Sequence, residues 1–341
     1  MNTIPQLQML SFFVCLTACF FSTDVLAQQS KTKTDIKTFT NPIGEGADPW
    51  VITAGKQFWY CGSGNGGIFV CASDSLPAIL QKKKNMIFIP PVNCEYSHEI
   101  WAPELHYLKG KWYVYFAADS GNNVHHRMYV LEGGSDSTNP LNGNYRYKGK
   151  LAASIDNWAI DGTAFEYKKQ LYFVWSGWPG KTNVTQCLYI AKMKNPYTID
   201  GERVEISCPT EDWETIGNPT IKEGPEVLVK NKLVHIIYSA SGSWTDDYCL
   251  GRITCSNGDL MNKDSWKKTG PVFSKTDDVF GPGHASFVQM PSKNTWWIVY
   301  HAARVKGSGW DRDIRIQSFT WDKDIPVFGK PVSTNVNIEA P

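Results

Sequence analysis

Apolar and polar positions along this chain recur in one motif, written five times. Each copy opens on a polar residue, crosses a short apolar stretch, turns on Gly, Lys or Asn, and enters a strongly aromatic stretch. The first copy is Asp48-Pro-Trp-Val-Ile, a turn at Ala54-Gly55-Lys56, then Phe58-Trp59-Tyr60-Cys61. The second is Trp101-Ala-Pro-Glu104-Leu-His-Tyr, a turn at Lys109-Gly110-Lys111, then Trp112 to Phe116. The third runs from Asp161 through Lys168-Lys169 to Trp175, and the fourth from Glu223 through Asn231-Lys232 to Tyr238. The fifth is Gly283-His284-Ala-Ser-Phe287, a turn at Ser292-Lys293-Asn294, then Trp296 to Tyr300. Alternation bounded by turn residues predicts strands rather than helices. Turn centres near residues 55, 110, 168, 231 and 293 are spaced by 55, 58, 63 and 62 residues. That period is too long for a hairpin meander and fits a blade of about four strands with its loops. The expected fold is all-β: a five-bladed β-propeller around a central active-site cavity, occupying residues 41–341. Two ways of closing the ring stay open: pairing of Thr34–Thr40 with the last blade, or packing alone.

Ahead of the first copy lies a different pattern. Leu7 to Phe21 is a nearly unbroken apolar run, followed by Val25-Leu26-Ala27. Small residues near Ala27 suit cleavage before Gln28, so residues 1–27 read as an export signal and 28–40 as an N-terminal extension. Met1 to Gln8 carries no Lys or Arg, which a signal of this type ordinarily has. The expected location is secreted or periplasmic. The rival reading takes Leu16-Thr17-Ala18-Cys19 as a lipobox, leaving a lipid on Cys19. The run is short for a membrane span, and no other segment is long and apolar enough.

Composition narrows the partners. A formal net charge of +1 with no basic block argues against nucleic acid or an anionic membrane. With 42% hydrophobic residues the chain can bury a sizeable core as a single domain, expected to act as a monomer. The 14 Trp, 15 Tyr and 16 Phe suit strands and also suit stacking on sugar rings. Discounting Cys15 and Cys19 from nine cysteines leaves seven, an odd number, so at least one thiol stays unpaired within the chain. Cys61 and Cys71 flank a Gly-rich turn, and either a disulfide across that hairpin or two buried thiols fits them.

The repeat carries chemistry. Asp48, Glu104, Asp161, Glu223 and His284 fall six to nine residues before the five turn centres. The innermost strand of every propeller blade lines the axis, so equivalent positions converge at one end of it. Gathering four carboxylates and an imidazole costs desolvation and repulsion that packing alone does not explain. Hydrolysis of a glycosidic bond needs such a set: one carboxylic acid to protonate the leaving oxygen and one carboxylate to activate water. Inverting enzymes hold the two roughly 6.5–9.5 Å apart, leaving room for the water. A third carboxylate beside the acid raises its pKa by like-charge repulsion.

These residues resemble glycoside hydrolase family 43 in five motifs, in order and along nearly all of the chain after residue 40. They are Ala47-Asp48-Pro49-Trp50, Trp101-Ala102-Pro103-Glu104, Ala159-Ile160-Asp161-Gly162, Glu223-Gly224-Pro225 and Gly281-Pro282-Gly283-His284. The resemblance implies Asp48 as general base, Asp161 as the residue that tunes the acid and orients substrate, and Glu223 as general acid. It implies a hard cation, often calcium, near His284, and no cofactor for the chemistry itself. Longer phrases at 126–132, 171–178 and 238–248 resemble the branch of exo-acting α-L-arabinofuranosidases. Release of terminal α-L-arabinofuranose from arabinan or arabinose-containing plant polysaccharide, by inversion, is therefore the expected activity. A β-xylosidase, an endo-arabinanase and a non-catalytic sugar-binding propeller are the alternatives. The stretches 89–99 and 208–218 are long enough to wall one end of the site, as an exo enzyme requires.

Blander readings attach to single residues. Asp-Pro and Asp-Gly at Asp48 and Asp161 are ordinary turn signals when met alone. Glu226 stands three residues from Glu223, so simple alternation sends the two to opposite faces. Glu104 has a structural reading, fixing the loop that carries Trp101, itself a candidate sugar-facing wall. The family resemblance also implies Arg312, in the fifth-blade loop, as a sugar-binding arginine, with Arg304 and Arg315 close enough to compete. Trp59, Trp112 and Trp296 lie mid-strand and are expected in the core. His125 and His126 are neighbours on an extended chain, point apart, and are read as non-functional.

Overall fold

The computed structural model describes residues 37–290 and 294–341. The export-signal reading, the candidate lipid site at Cys19 and the fifth turn at Ser292-Lys293 lie outside the described residues. Five antiparallel sheets follow one another along the chain. Blade one holds Trp50–Ala54, Gln57–Gly64, Gly67–Ser73 and Asn85–Phe88. Blade two holds His98–Leu108, Lys111–Asp119, Arg127–Glu132 and Arg146–Leu151. Blade three spans Ala159–Tyr167 to Thr198–Ser207, and blade four Lys222–Lys230 to Trp266–Phe273. Blade five takes Phe280–Gln289, Trp296–Ala303 and Arg312–Asp322. The first strand of each blade touches the first strand of the next, and blade five returns to blade one, so these five strands ring the axis. The fold is a five-bladed β-propeller; among the described residues helix is confined to short 3-10 turns such as Leu76–Gln81.

Ring closure uses the N-terminal segment. Gly44–Glu45 joins blade five as its outer strand, pairing with Asp313 and Ile314. Asn41 reinforces the seam: its amide donates to Ile316 O and accepts from Ile316 N, both at 2.9 Å. Thr38–Phe39 pairs with Ile338–Glu339 near the other terminus. Hydrogen bonds therefore close the ring, through residues just beyond the stretch expected for that role.

Blades stack by burying their apolar faces against each other. Tyr115, Met128, Phe173 and Trp175 fill the space between blades two and three. Leu228, Ile237, Ile298 and Tyr300 do the same between four and five. Each such side chain, removed fully from water, contributes about 1.5–3 kcal/mol before entropy is counted. Trp59 and Trp112 are buried as expected, and their indoles donate to Ala54 O and Asp136 O. Trp296 is half-buried against the same kind of core. The described cysteines make one disulfide, Cys187–Cys208. Cys61 and Cys71 remain buried thiols, because register places Cys61 opposite Val70 and Cys71 opposite Tyr60.

Candidate active site

Each inner strand enters the axis through a kink. In blades two to five the pairing slips between Trp101 and Glu104, Ile160 and Thr163, Glu223 and Glu226, and Gly283 and Ser286. The first extra residue of each bulge has positive φ: Ala102 (42°), Asp161 (53°), Gly224 (55°) and His284 (44°). Asp48, just ahead of the blade-one strand, has φ of 49° as well. A bulge of this kind breaks the two-residue alternation and re-aims side chains toward the axis. The register corrects one expectation. Asp48, Asp161 and His284 are structural equivalents, but Glu223 sits one residue before its bulge position and Glu104 two after. Alternation also fails between Glu223 and Glu226: both are buried, and the Glu226 carboxyl lies against that of Glu104. Glu104 in turn meets His106 Nε2 at 2.8 Å, which places it in a second layer with Glu226.

The three predicted carboxylates converge from blades one, three and four. His284 Nδ1 lies 3.1 Å from Asp48 Oδ1 and 3.9 Å from Asp161 Oδ2. Gly224 N donates to Asp161 Oδ2 at 3.1 Å, tying the residue after Glu223 to Asp161. Only glycine serves at 224, since a Cβ there would stand 3.1 Å from the His284 ring on a backbone of positive φ. Tyr248 hydroxyl donates to Glu223 Oε1 at 2.9 Å. Asp48 N donates to His301 Nδ1 at 3.1 Å, and Arg312 places Nη1 3.7 Å from Asp48 Oδ1.

Electrostatics separates the carboxylates. Burial alone would raise the pKa of Asp48, but His284, His301 and Arg312 together hold it well below the usual carboxylate range. Burial, followed by Glu223 and Asp48, pushes Asp161 well above that range. Burial lifts Glu223 to about 7, with Tyr248 and Arg312 opposing the rise and Asp48 adding to it. Asp161 and Glu223 lie close enough to titrate as a pair that keeps a proton near neutrality, while Asp48 stays ionised. One permanent base beside a proton-holding pair is the division of labour that general acid–base hydrolysis requires.

The remaining predicted residues divide. Arg312 reaches the site and is fixed by donating from Nη2 to Ser243 O at 2.6 Å. Arg304 pairs instead with Glu45, Asp311 and Asp313 at the surface, and Arg315 is buried against Val332 and Thr334. Trp101 is half-buried with its ring stacked on His126 at 3.9 Å. His126 is fully buried with Nδ1 3.3 Å from Asp119 Oδ2, so it is a built part of the rim rather than an idle neighbour of His125. The 208–218 stretch tucks Glu214 under blade four and bonds through Ile216 O to Gly242, behind the loop that carries Ser243. The 89–99 stretch ends in a cleft of about 330 Å³ between Ser63–Gly67 and Ser97–Ile100. A separate cavity of about 190 Å³ is lined by Asp48, Tyr60, Phe69 and Ala102. A larger one, about 830 Å³, lies between Pro271–Asp278 and Gly329–Ser333 and touches none of these groups.

Sequence reasoning missed Tyr248, His301, Ser239 and Trp310. Tyr248 closes the phrase 238–248, yet nothing in that phrase singles out its hydroxyl. His301 follows the aromatic strand of blade five, and no spacing rule separates it from a core histidine. Ser239 Oγ accepts from His284 N at 2.7 Å. Trp310 is 67% exposed, and its indole donates to Ser243 Oγ at 3.2 Å, so an open aromatic face stands beside the site.

Comparison with known proteins matches residues 39–326 to the profile of glycosyl hydrolases family 43. The chain belongs to that family. Within family 43, it is 37% identical over 317 residues to an extracellular exo-alpha-(1->5)-L-arabinofuranosidase of Streptomyces avermitilis, covering 88% of this chain and 65% of that protein. It is 35% identical to alpha-L-arabinofuranosidase 43 of Humicola insolens, over 69% of this chain and 51% of that protein. The chain thus spans between half and two thirds of these curated relatives. Its structure superposes on the alpha-L-arabinofuranosidase from Lactobacillus brevis with a TM-score of 0.79 at 32% identity, covering 87% of this chain and 98% of that one. A thermostable family-43 glycoside hydrolase shares the fold at 20% identity and a TM-score of 0.69.

Proposed function

We propose that this family 43 chain is an inverting exo-glycosidase that releases terminal α-L-arabinofuranose from arabinan or arabinose-containing plant polysaccharide. Asp48 is the general base, Glu223 the general acid, and Asp161 the neighbour that keeps Glu223 protonated and orients the sugar. The observation that carries this reading is the meeting of Asp48 and Asp161 at one imidazole, His284, with Asp48 held ionised and Glu223 lifted to about 7. In the forward step Glu223 gives its proton to the leaving oxygen while Asp48 takes one from water attacking the opposite face. Arg312 binds a sugar hydroxyl near Asp48, and Trp101 forms a wall of the pocket. Trp310 offers a stacking face at the rim. Relatives named as arabinofuranosidases support the sugar preference.

His284 fits the cation expected there. Its Nδ1 is engaged by Asp48, which leaves Nε2 as the ligand atom in a carboxylate–histidine–metal arrangement. A hydrated calcium held so would supply positive charge that fixes the imidazole. The apolar run Leu7–Phe21 and the extracellular relatives support action outside the cytoplasm, as a free or Cys19-lipidated protein.

Proton NMR of an aryl α-L-arabinofuranoside and an aryl β-D-xyloside during hydrolysis tests sugar and stereochemistry together. The expected first product is the β-anomer of arabinose, with the xyloside much slower. Retention of configuration overturns the mechanism, and faster xyloside turnover overturns the sugar assignment.

A further inference from the structure

One polar cluster lies outside the acid–base centre. Glu99, Asp119 and His126 belong to blade two, at the rim beside Trp101, and each places one ligand-type atom within 4.8 Å of the others. Asp119 is fully buried. Its Oδ1 accepts from Gly121 N at 2.8 Å, but its Oδ2 has no hydrogen-bond donor. A buried carboxylate oxygen left without a donor is costly and calls for an explanation. His126 is equally buried, and its Nε2 lies 3.0 Å from Glu99 O. A carbonyl only accepts, so Nε2 carries a proton toward Glu99 O. Nδ1 lies 3.3 Å from Asp119 Oδ2 and 3.3 Å from Asn123 O. Oxygen atoms thus crowd this edge of the ring around an orphaned carboxylate oxygen, and a positive charge belongs among them.

We propose that Glu99, Asp119 and His126 form a binding site for a divalent transition-metal ion of the zinc or manganese class, clamping the rim of blade two beneath Trp101. Two carboxylates and an imidazole make the nitrogen–oxygen donor set such ions take, with water completing the shell. Ligands at about 2.1 Å around a tetrahedral ion lie roughly 3.4 Å apart, close to the Nδ1–Oδ2 separation. The Nε2 proton on a backbone carbonyl is the outer-shell bond that orients a ligating histidine. Glu99 faces the open cleft of about 330 Å³, which is a route of entry for the ion. Because the Trp101 ring stacks on His126 at 3.9 Å, a bound ion would stiffen the surface on which Trp101 rests.

The test is calorimetric titration of the metal-stripped full chain with Zn²⁺ and with Mn²⁺, alongside thermal unfolding. Glu99→Gln is the main variant, because its exposed side chain can change without disturbing packing; Asp119→Asn and His126→Gln extend the series. Saturable binding of one ion is expected, raising Tm in the wild type, with affinity falling at least ~10-fold in Glu99→Gln. Failure of either ion to bind overturns the proposal. So does binding that Glu99→Gln leaves intact, including binding lost only in His284→Gln, which would place the ion at the acid–base centre. A proton, on His126 Nδ1 or between Asp119 and Glu99, is the remaining rival, and it predicts no ion uptake at any pH.

Discussion

Lys222 and Glu223 are neighbours on the inner strand of blade four, yet they face opposite worlds. Lys222 is fully buried, with Nζ 2.8 Å from Glu214 Oε1 and donating to Ser207 Oγ and Cys208 O. Glu214, also fully buried, accepts from Tyr238, Thr210 N, Glu211 N and Lys268 as well. Burial would raise its carboxyl, but Lys222, Lys268 and these donors bring it down to about 2. On the Glu223 side carboxyl groups outnumber cations. Burial prevails there, and the Glu223 carboxyl rises to about 7. Both regions bury charge at similar depth. In one, every lone pair has a donor and the cluster holds the loop at 208–218 to the blade. In the other the shortage of donors leaves a proton mobile, which is what catalysis needs and stability does not.

Substitutions on the two faces should therefore separate activity from stability. The largest effect is expected for Glu223→Gln: turnover of unactivated arabinosides falls ~10²- to 10⁴-fold, while Tm barely moves. Aryl substrates with good leaving groups should lose much less, and equal loss on both would remove Glu223 as the acid. Glu214→Gln should do the reverse. It leaves Lys222 buried with a weakened partner, at a cost of about 3–5 kcal/mol, read by denaturant unfolding. The sign with pH also differs. A folded pKa near 2 is depressed, so the Glu214 contribution is present above pH ~4.5 and disappears as pH falls toward 2. Acid unfolding of the wild type should steepen in that window, and Glu214→Gln should lack the step.

Glu223 titrates in the opposite sense. The folded state keeps a proton on Glu223 between the ordinary carboxylate range and about pH 7, so activity should decline as pH rises through 7. Tyr248→Phe removes a hydrogen bond that favours the ionised acid, so this alkaline limb should move upward in pH. A limb that stays put, or moves down, would separate Tyr248 from control of the acid. The smallest effect is expected for Arg304→Ala. This exposed arginine makes only rim ion pairs, and kcat/KM should not change, whereas Arg312→Ala should raise KM. An Arg304 effect matching that of Arg312 would blur the line between rim and centre.

How much was legible in advance follows the range of the physics. Asp48, Asp161 and Glu223 could be picked out because each stands at or near the start of an inner strand, seven or eight residues before a turn that short-range rules recognise. His284 stood out in the same way, whereas Arg312 was set apart from its competitors only by resemblance to the family, until its distance to Asp48 separated them in the structure. Tyr248 and His301 gave no such signal, because a tyrosine or histidine in an aromatic strand looks alike in core and site. Glu104 was aligned with the wrong positions. A bulge inserts one residue and reverses alternation, and nothing in Trp-Ala-Pro-Glu announces where the extra residue falls.

The amino-acid order by itself determined the strands, their turns and their fivefold repetition, because alternation and turn chemistry act over a few residues. It also determined which acidic groups were candidates for chemistry. Tertiary structure alone decided the pairing of Gly44–Glu45 with blade five, the Cys187–Cys208 bond, and the union of Glu99, Asp119 and His126. Contacts between residues far apart in sequence depend on how the blades pack and where their bulges lie, and no local pattern encodes that distance.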